Sequence, residues 1–167
     1  ARVQSASALL EFFKSSAGSL DSFRQAREIA IVQVDRLPND LSSLPAERVD
    51  LFLRLVLPSA VHVNEAVAAD RARLLALEGS PSATQEDTLF LADLGDRYGL
   101  SAPSVPELLE RVDRIPIGLL LAQAADESGW GRSRFSIEGN ALYGQHASGK
   151  GGPSIAAKSA PVHMAAF

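Results

Sequence analysis

The spacing of apolar residues predicts a mainly helical chain over most of its length. Residues 46–78 carry the longest pattern, in which apolar side chains recur close to the helical period. Leu9 and Phe13 predict a short first helix, and Asp21 is a candidate N-cap for another. Pro58 is expected to kink or split the long helix, because proline lacks an amide hydrogen and crowds the preceding turn.

Short-range signals predict where two further helices begin and end. Thr84 and Asp87 have the spacing of a capping box, and Gly99 is a suitable residue to end the helix that follows. Ser104 and Glu107 form a second box of the same kind. Each of these pairs predicts a helix N-terminus without reference to the rest of the chain.

A third helix is predicted to start at Pro116, and it is apolar nearly all round. Residues 117–125 hold Gln123 as their one polar side chain. A helix of this kind is normally buried in the centre of its domain. After Gly129 the pattern predicts a loop and then a small β-hairpin lobe, with a strand over residues 162–167.

Composition narrows the possible functions. The chain is 46% hydrophobic and 22% charged with a net charge of −4, which is typical of a globular domain and leaves no dense basic patch for nucleic acid. Because there are no cysteines, disulfides, zinc–thiolate sites and thiol nucleophiles are excluded. We expect no membrane span, since no run approaches about 18 apolar residues. The opening residues do not form a signal peptide, although a mature exported protein would look the same.

Glu127 is the residue whose position suggests chemistry. At about 100° per residue it lies about 20° from Leu120, on the flank of the apolar stripe, whereas Asp126 points about 100° away. Burial there and the negative end of the helix dipole would raise the pKa of Glu127. A carboxyl group protonated near neutral pH suits a general acid. The alternative is a solvated glutamate that ends a helix at the surface.

The residues after Glu127 are suited to binding a sugar. Gly129 can end the helix, and Trp130 offers an apolar wall and a stacking face. The candidate substrate-binding residues are Trp130, Ser133, Phe135, Asn140, Tyr143 and Gln145. His146 and His163 lack a nearby carboxylate and make a weak metal site, so we expect neither a metal nor a cofactor.

Residues 115–131, 133–135 and 139–145 together resemble the bacterial Bax-type glucosaminidases of glycoside hydrolase family 73, which are related to flagellar peptidoglycan hydrolases and autolysin glucosaminidases. The upstream Leu57-Pro58, Asn64-Glu65 and Arg71 resemble the helical extension of these proteins. The resemblance covers nearly the whole chain and is strongest over 111–145.

The resemblance implies a lysozyme-like fold, with an N-terminal helical extension over 1–100 and a catalytic core over 101–167. It implies that Glu127 is the catalytic acid of an endo-β-N-acetylglucosaminidase that cleaves peptidoglycan glycan strands after N-acetylglucosamine. Such a substrate implies export to the periplasm or cell envelope. Oligomeric state does not follow from these residues.

The second catalytic group stays open. The family usually has a further acid in its β-lobe, but residues 139–167 contain none. Glu138, the substrate's own acetamido group or an acid beyond residue 167 are the alternatives. A muramidase or lytic transglycosylase on the same fold, or a catalytically inactive glycan-binding module, are the competing functions.

Overall fold

The computed structural model describes residues 5–16, 34, 36–80, 84–145, 154–156 and 163–165. Within them the protein is mainly helical with a small hairpin, which confirms the predicted fold class in outline. The described helices are α1 (Ala6–Ser16), α2 (Arg48–Leu77), α3 (Gln85–Tyr98), α4 (Val105–Arg111), α5 (Ile117–Ser128) and α6 (Arg134–Gly139), with a 3-10 turn at Leu41–Ser43. Strands β1 (Ser154–Ala156) and β2 (His163–Ala165) pair in antiparallel fashion. The helix expected after Asp21 lies outside the described residues.

The chain forms two compact units. One comprises Ala1–Ala60 with Ile117–Phe167, and the other comprises Val61–Pro116. This grouping does not test the predicted functional boundary at residue 100, which stays a prediction, as does the lysozyme-like arrangement.

The core of the first unit brings together α1, the 3-10 turn, the first half of α2 and one face of α5. Phe52 is a fully buried member of this core. The buried members of this core are Ala6, Leu9, Phe13, Leu37, Leu41, Leu51, Phe52, Leu55, Val56, Ala124 and Ala125.

In the second unit, two polar side chains of α2 hold the backbone around the end of α4. Asn64 donates from Nδ2 to the Ile115 carbonyl at 2.6 Å, and its Oδ1 accepts from the Ile115 amide at 3.1 Å. Arg71 donates to the carbonyls of Leu109 and Val112, at 2.6 and 2.7 Å. The Arg71 bonds satisfy carbonyl groups that the end of a short helix leaves without partners, and the Asn64 bonds hold the backbone that follows. The apolar core beneath them consists of Leu74, Leu94, Leu108 and Val112.

The predicted helix caps are confirmed. Thr84 and Asp87 form a reciprocal capping box at α3, and Ser104 and Glu107 form one at α4. Gly99 ends α3 in the left-handed conformation, with a φ of 69°. The caps could be predicted because each bond joins residues only three positions apart.

The split expected at Pro58 is absent, and α2 continues through it. A proline inside a helix costs about 3 kcal/mol. Phe52, Leu55 and Val56, in the two turns before it, are each at least 95% buried. Burying side chains of this size contributes about 1.5–3 kcal/mol each, which outweighs the local cost of the proline.

The expectation that α5 is buried all round is wrong. Ala124, Ala125 and Ser128 are buried, but Leu119 is 51% exposed. Within the described residues, α5 packs into the core through one face only. On its other side Leu119 and Ala122 are exposed, and Ile117 and Leu120 are half-buried.

Helix α2 is also long and apolar enough to meet the length and composition criteria for a membrane span, the one described helix that does so. Its most apolar 18-residue window has a mean hydropathy of 1.3, and 44% of that window is buried within the protein. The core helix of a soluble protein meets the same criteria, so the absence of a span stays a prediction.

Candidate functional site

The end of α5 leads into an unusual turn. Gly129, Trp130 and Gly131 all have positive φ angles, of 57°, 59° and 75°. Such a conformation is costly for a bulky residue, about 1–3 kcal/mol, and persists only where surrounding contacts impose it. The Trp130 amide donates to the Ala125 carbonyl at 2.8 Å, which closes the turn against the helix.

Ser128 holds this turn from inside. It is fully buried, and its Oγ donates to the Ala124 carbonyl at 2.5 Å and accepts from the Gly131 amide at 2.9 Å. Its own carbonyl accepts from the Ser133 amide at 2.8 Å. Sequence reasoning missed Ser128, although a serine that can bond back to the preceding helical turn was an available signal.

The turn is also packed against the first unit's core. A Cβ atom at Gly131 would lie 2.9 Å from Leu41 Cδ1, so only glycine fits without movement of its neighbours. The ring of Trp130 meets that of Phe52 edge-on, with centroids 5.7 Å apart and planes at 72°. The position of the indole is therefore set by α2 as well as by the turn.

A cavity of about 290 Å³ lies beside the indole. We call it the α2–α5 groove, lined by Leu53, Leu121, Ala122, Ala125, Asp126 and Trp130. Asp126 is the charged member of this lining. The acidic residue beside the tryptophan is therefore Asp126, whereas the helical angles alone favoured Glu127.

Glu127 is exposed and does not line this groove. The expectation that it is buried beside an apolar wall is wrong, because the buried face of α5 runs through Ala124, Ala125 and Ser128. Glu127 lies about 100° around the helix from Asp126, on the other flank of the exposed face. Its role as a catalytic acid stays a prediction, and burial of the side chain does not support it in the described residues.

Tyr143 is attached to the flank of α5 that carries Glu127. Its hydroxyl donates to the Leu120 carbonyl at 3.2 Å, and Leu120 lies about 20° from Glu127 around the helix. The Tyr143 ring is 40% exposed. Partial burial raises the pKa of Tyr143 above its ordinary 10.0. Among the predicted substrate-binding residues, Tyr143 is therefore positioned on the same flank as the predicted acid.

Two other predicted substrate-binding residues have structural roles. Ser133 caps α6 by accepting from the Ser136 amide at 3.1 Å. Asn140 ends that helix with a φ of 52°, and its Oδ1 accepts from the Leu37 amide at 3.1 Å.

Helix α6 lies in a segment for which the sequence predicted only a loop. A serine N-cap and an asparagine C-cap were the signals for it.

The remaining residues of the predicted site lie around α6. The guanidinium carbon of Arg134 is 4.8 Å from the Phe135 ring centroid, and Arg134 pairs with Glu138 at 3.0 Å. The backbone carbonyl of Glu138 accepts from Arg36. Gln145 is exposed at the end of this segment. No described contact brings Glu138 together with Glu127, so its role as a second acid stays a prediction.

The described residues contain no group of three or more His, Asp or Glu side chains that could hold a metal ion. His146 lies outside the described residues, as does the side chain of His163.

The comparison with curated proteins gives one relevant relative. The sequence is similar to Protein bax of Escherichia coli (strain K12). The two are 34% identical over 113 residues, which cover 63% of this chain and 41% of Protein bax. The match therefore spans about two-fifths of the relative's length, and the relative's name states no activity. No protein-family model and no solved structure matches the chain.

Proposed function

We propose that this protein is a peptidoglycan hydrolase, an endo-β-N-acetylglucosaminidase in which Glu127 donates a proton to the leaving oxygen. The observation that carries the proposal is the continuous run over 115–131, followed by 139–145, which resembles the Bax-type glucosaminidases. The partial similarity to Protein bax supports a relationship to proteins of that type.

The accessibility of Glu127 supports contact with a polymer. An exposed carboxyl group at the end of α5 can be reached by a glycan strand. The Tyr143 hydroxyl is held at the Leu120 carbonyl, about two helical turns before Glu127.

The second catalytic role falls to the substrate's acetamido group or to an acid outside residues 139–167, which contain none. Either route leaves protonation of the leaving oxygen to Glu127. The proposed substrate places the active protein in the periplasm or cell envelope.

The proposal is tested by Glu127→Gln, which keeps the size of the side chain and removes its proton. Turnover on purified peptidoglycan should fall by about 10²–10⁴, the usual contribution of a general acid. Glu110→Gln, at an exposed position of α4, is the matched control and should retain activity. Near-wild-type turnover of Glu127→Gln would exclude the assigned role.

The products identify the bond that is cleaved. Mass spectrometry of the digest should show fragments with reducing-end N-acetylglucosamine. Reducing-end N-acetylmuramic acid would indicate a muramidase instead. An anhydro end would indicate a lytic transglycosylase.

A second candidate is a glycan-binding module without hydrolytic activity. The observation that favours it is the position of Glu127 outside the α2–α5 groove, where Trp130 and Asp126 lie. Peptidoglycan binding without release of any product, measured on the full-length protein, would establish this function in place of hydrolysis.

A further inference from the structure

The α2–α5 groove combines an apolar lining with one carboxylate. Leu53, Leu121, Ala122, Ala125 and the Trp130 indole supply the apolar contact, and Asp126 supplies the charge. Within the described part of the chain, no cation pairs with the Asp126 carboxylate. An ionised carboxylate only accepts hydrogen bonds. A ligand suited to this groove must therefore present an apolar surface next to a hydrogen-bond donor.

The size of the groove limits what it can hold. Its volume of about 290 Å³ lies just below the range for small-molecule sites, which runs from about 300 to 1,000 Å³. It therefore has room for one sugar unit or one side group, not for a large cofactor. The indole is also fixed in place by the Ser128 turn and by Phe52, so that little ordering is needed on binding.

An acetamido group matches these requirements. Its methyl group can lie against the apolar lining, while its N–H donates to an acceptor a few bonds away. A plain hydroxylated sugar offers donors but no methyl group. An ammonium group offers a donor and a charge, but no apolar part of its own.

We propose that the α2–α5 groove is a subsite for an N-acetylated amino sugar, with the acetamido methyl against Leu53 and Trp130 and its N–H bonded to Asp126. The inference rests on the proposed function for its ligand class, a glycan of N-acetylated sugars. The acetamido group is then recognised on the flank of α5 that carries Asp126. Proton transfer takes place on the flank that carries Glu127.

The chain has a single tryptophan, so its intrinsic fluorescence reports directly on this groove. The protein is titrated with triacetylchitotriose and with cellotriose, two neutral trisaccharides that differ in their acetamido groups. Triacetylchitotriose should change the Trp130 emission and bind at least about tenfold more tightly, as expected from one hydrogen bond to a charged group. Equal affinity for the two sugars, or no change in emission, would overturn the subsite.

Variants of Asp126 separate the hydrogen bond from simple apolar contact. Asp126→Leu should lose most of the preference for the acetylated sugar, whereas Asp126→Asn, which keeps an acceptor oxygen, should retain part of it. Because Asp126 is exposed, both variants should fold, as circular dichroism would verify. If Asp126→Leu keeps the full preference, the assigned contact is wrong. Tighter binding of the unacetylated glucosamine trimer, lost in Asp126→Asn, would make the groove an ammonium site instead.

Failure of this inference and failure of the proposed function are distinguishable. Glu127→Gln should keep the preference for triacetylchitotriose over cellotriose, because Glu127 does not line the groove that reads the acetamido group. Hydrolysis of peptidoglycan without an acetamido preference would reject the subsite alone. A preference that depends on Asp126, in a protein that releases no product, would support the subsite and reject the hydrolase.

Discussion

The hydroxyl of Tyr143 donates a hydrogen bond to the backbone carbonyl of Leu120, 3.2 Å away and 23 residues earlier in the chain. This bond ties the segment after α6 to the side of α5 that carries Glu127. It joins one predicted substrate-binding residue to the helix of the predicted acid, and no local sequence pattern indicates it.

Removing this tie should weaken the fold slightly. Tyr143→Phe deletes the donor and keeps the ring, so the free energy of unfolding should fall by about 0.5–1 kcal/mol, the lower part of the usual range, because the ring is 40% exposed. Urea denaturation measures the change. Tyr98→Phe in α3 is the control, since the Tyr98 hydroxyl makes no hydrogen bond within the described residues. Equal effects of the two substitutions would contradict a stabilising role for the Tyr143 bond.

The turn after α5 should tolerate alanine at Gly129 better than at Gly131. Gly131→Ala places a Cβ atom 2.9 Å from Leu41, in addition to the strain of a φ of 75°. The free energy of unfolding should fall by about 2–3 kcal/mol from strain and overpacking together. Gly129→Ala is the matched control, because its φ of 57° imposes strain but its Cβ would meet no atom within 4 Å. It should lose about 1 kcal/mol. Thermal unfolding compares them, and a reversed order would rule out the contact with Leu41 as the cause.

The main role of Ser133 should be to cap helix α6 rather than to contact a ligand. Ser133→Ala removes the acceptor for the Ser136 amide and should cost about 1 kcal/mol of stability. Ser133→Asp, which also caps well, should recover most of this loss. Calorimetry on the three proteins tests the role. Unchanged stability with weaker glycan binding would favour the substrate contact predicted from the sequence.

Asp87 should make stability depend on acid pH. Hydrogen bonds from Thr84 and then from Arg73 lower the pKa of Asp87 from its ordinary 3.8 to about 2. Because the folded-state pKa is the lower one, the stabilisation is present above pH 3.8 and is lost as the pH falls towards about 2.

The measurement is the difference in melting temperature between Asp87→Asn and the wild-type protein. This difference should be largest near neutral pH and shrink as the pH falls from 3.8 towards 2. Asp96→Asn, at an exposed position of the same helix, should show a smaller difference. A difference for Asp87→Asn that stays constant across this range would exclude the linkage.

The ends of helices could be predicted from the sequence, whereas the long-range contacts around them could not. The boxes at Thr84–Asp87 and Ser104–Glu107 were predictable because both partners lie in one short segment. The bond between Asn140 and Leu37 joins residues 103 positions apart, and only the folded chain brings them together. Ser133 and Asn140 were signals for the ends of α6, because serine is a common N-cap and asparagine can end a helix in the left-handed conformation.

The sequence by itself determined the helical class, the capped helix ends and the resemblance over 115–145, because each depends on neighbouring residues or on a fixed order of side chains. Only the tertiary structure decided which face of α5 is covered. Apolar character shows that a side chain can be buried, but burial requires a partner surface, and the core of the first unit meets α5 along Ala124, Ala125 and Ser128. For that reason Asp126 lines the groove beside Trp130 and Glu127 lies outside it, although both side chains are exposed.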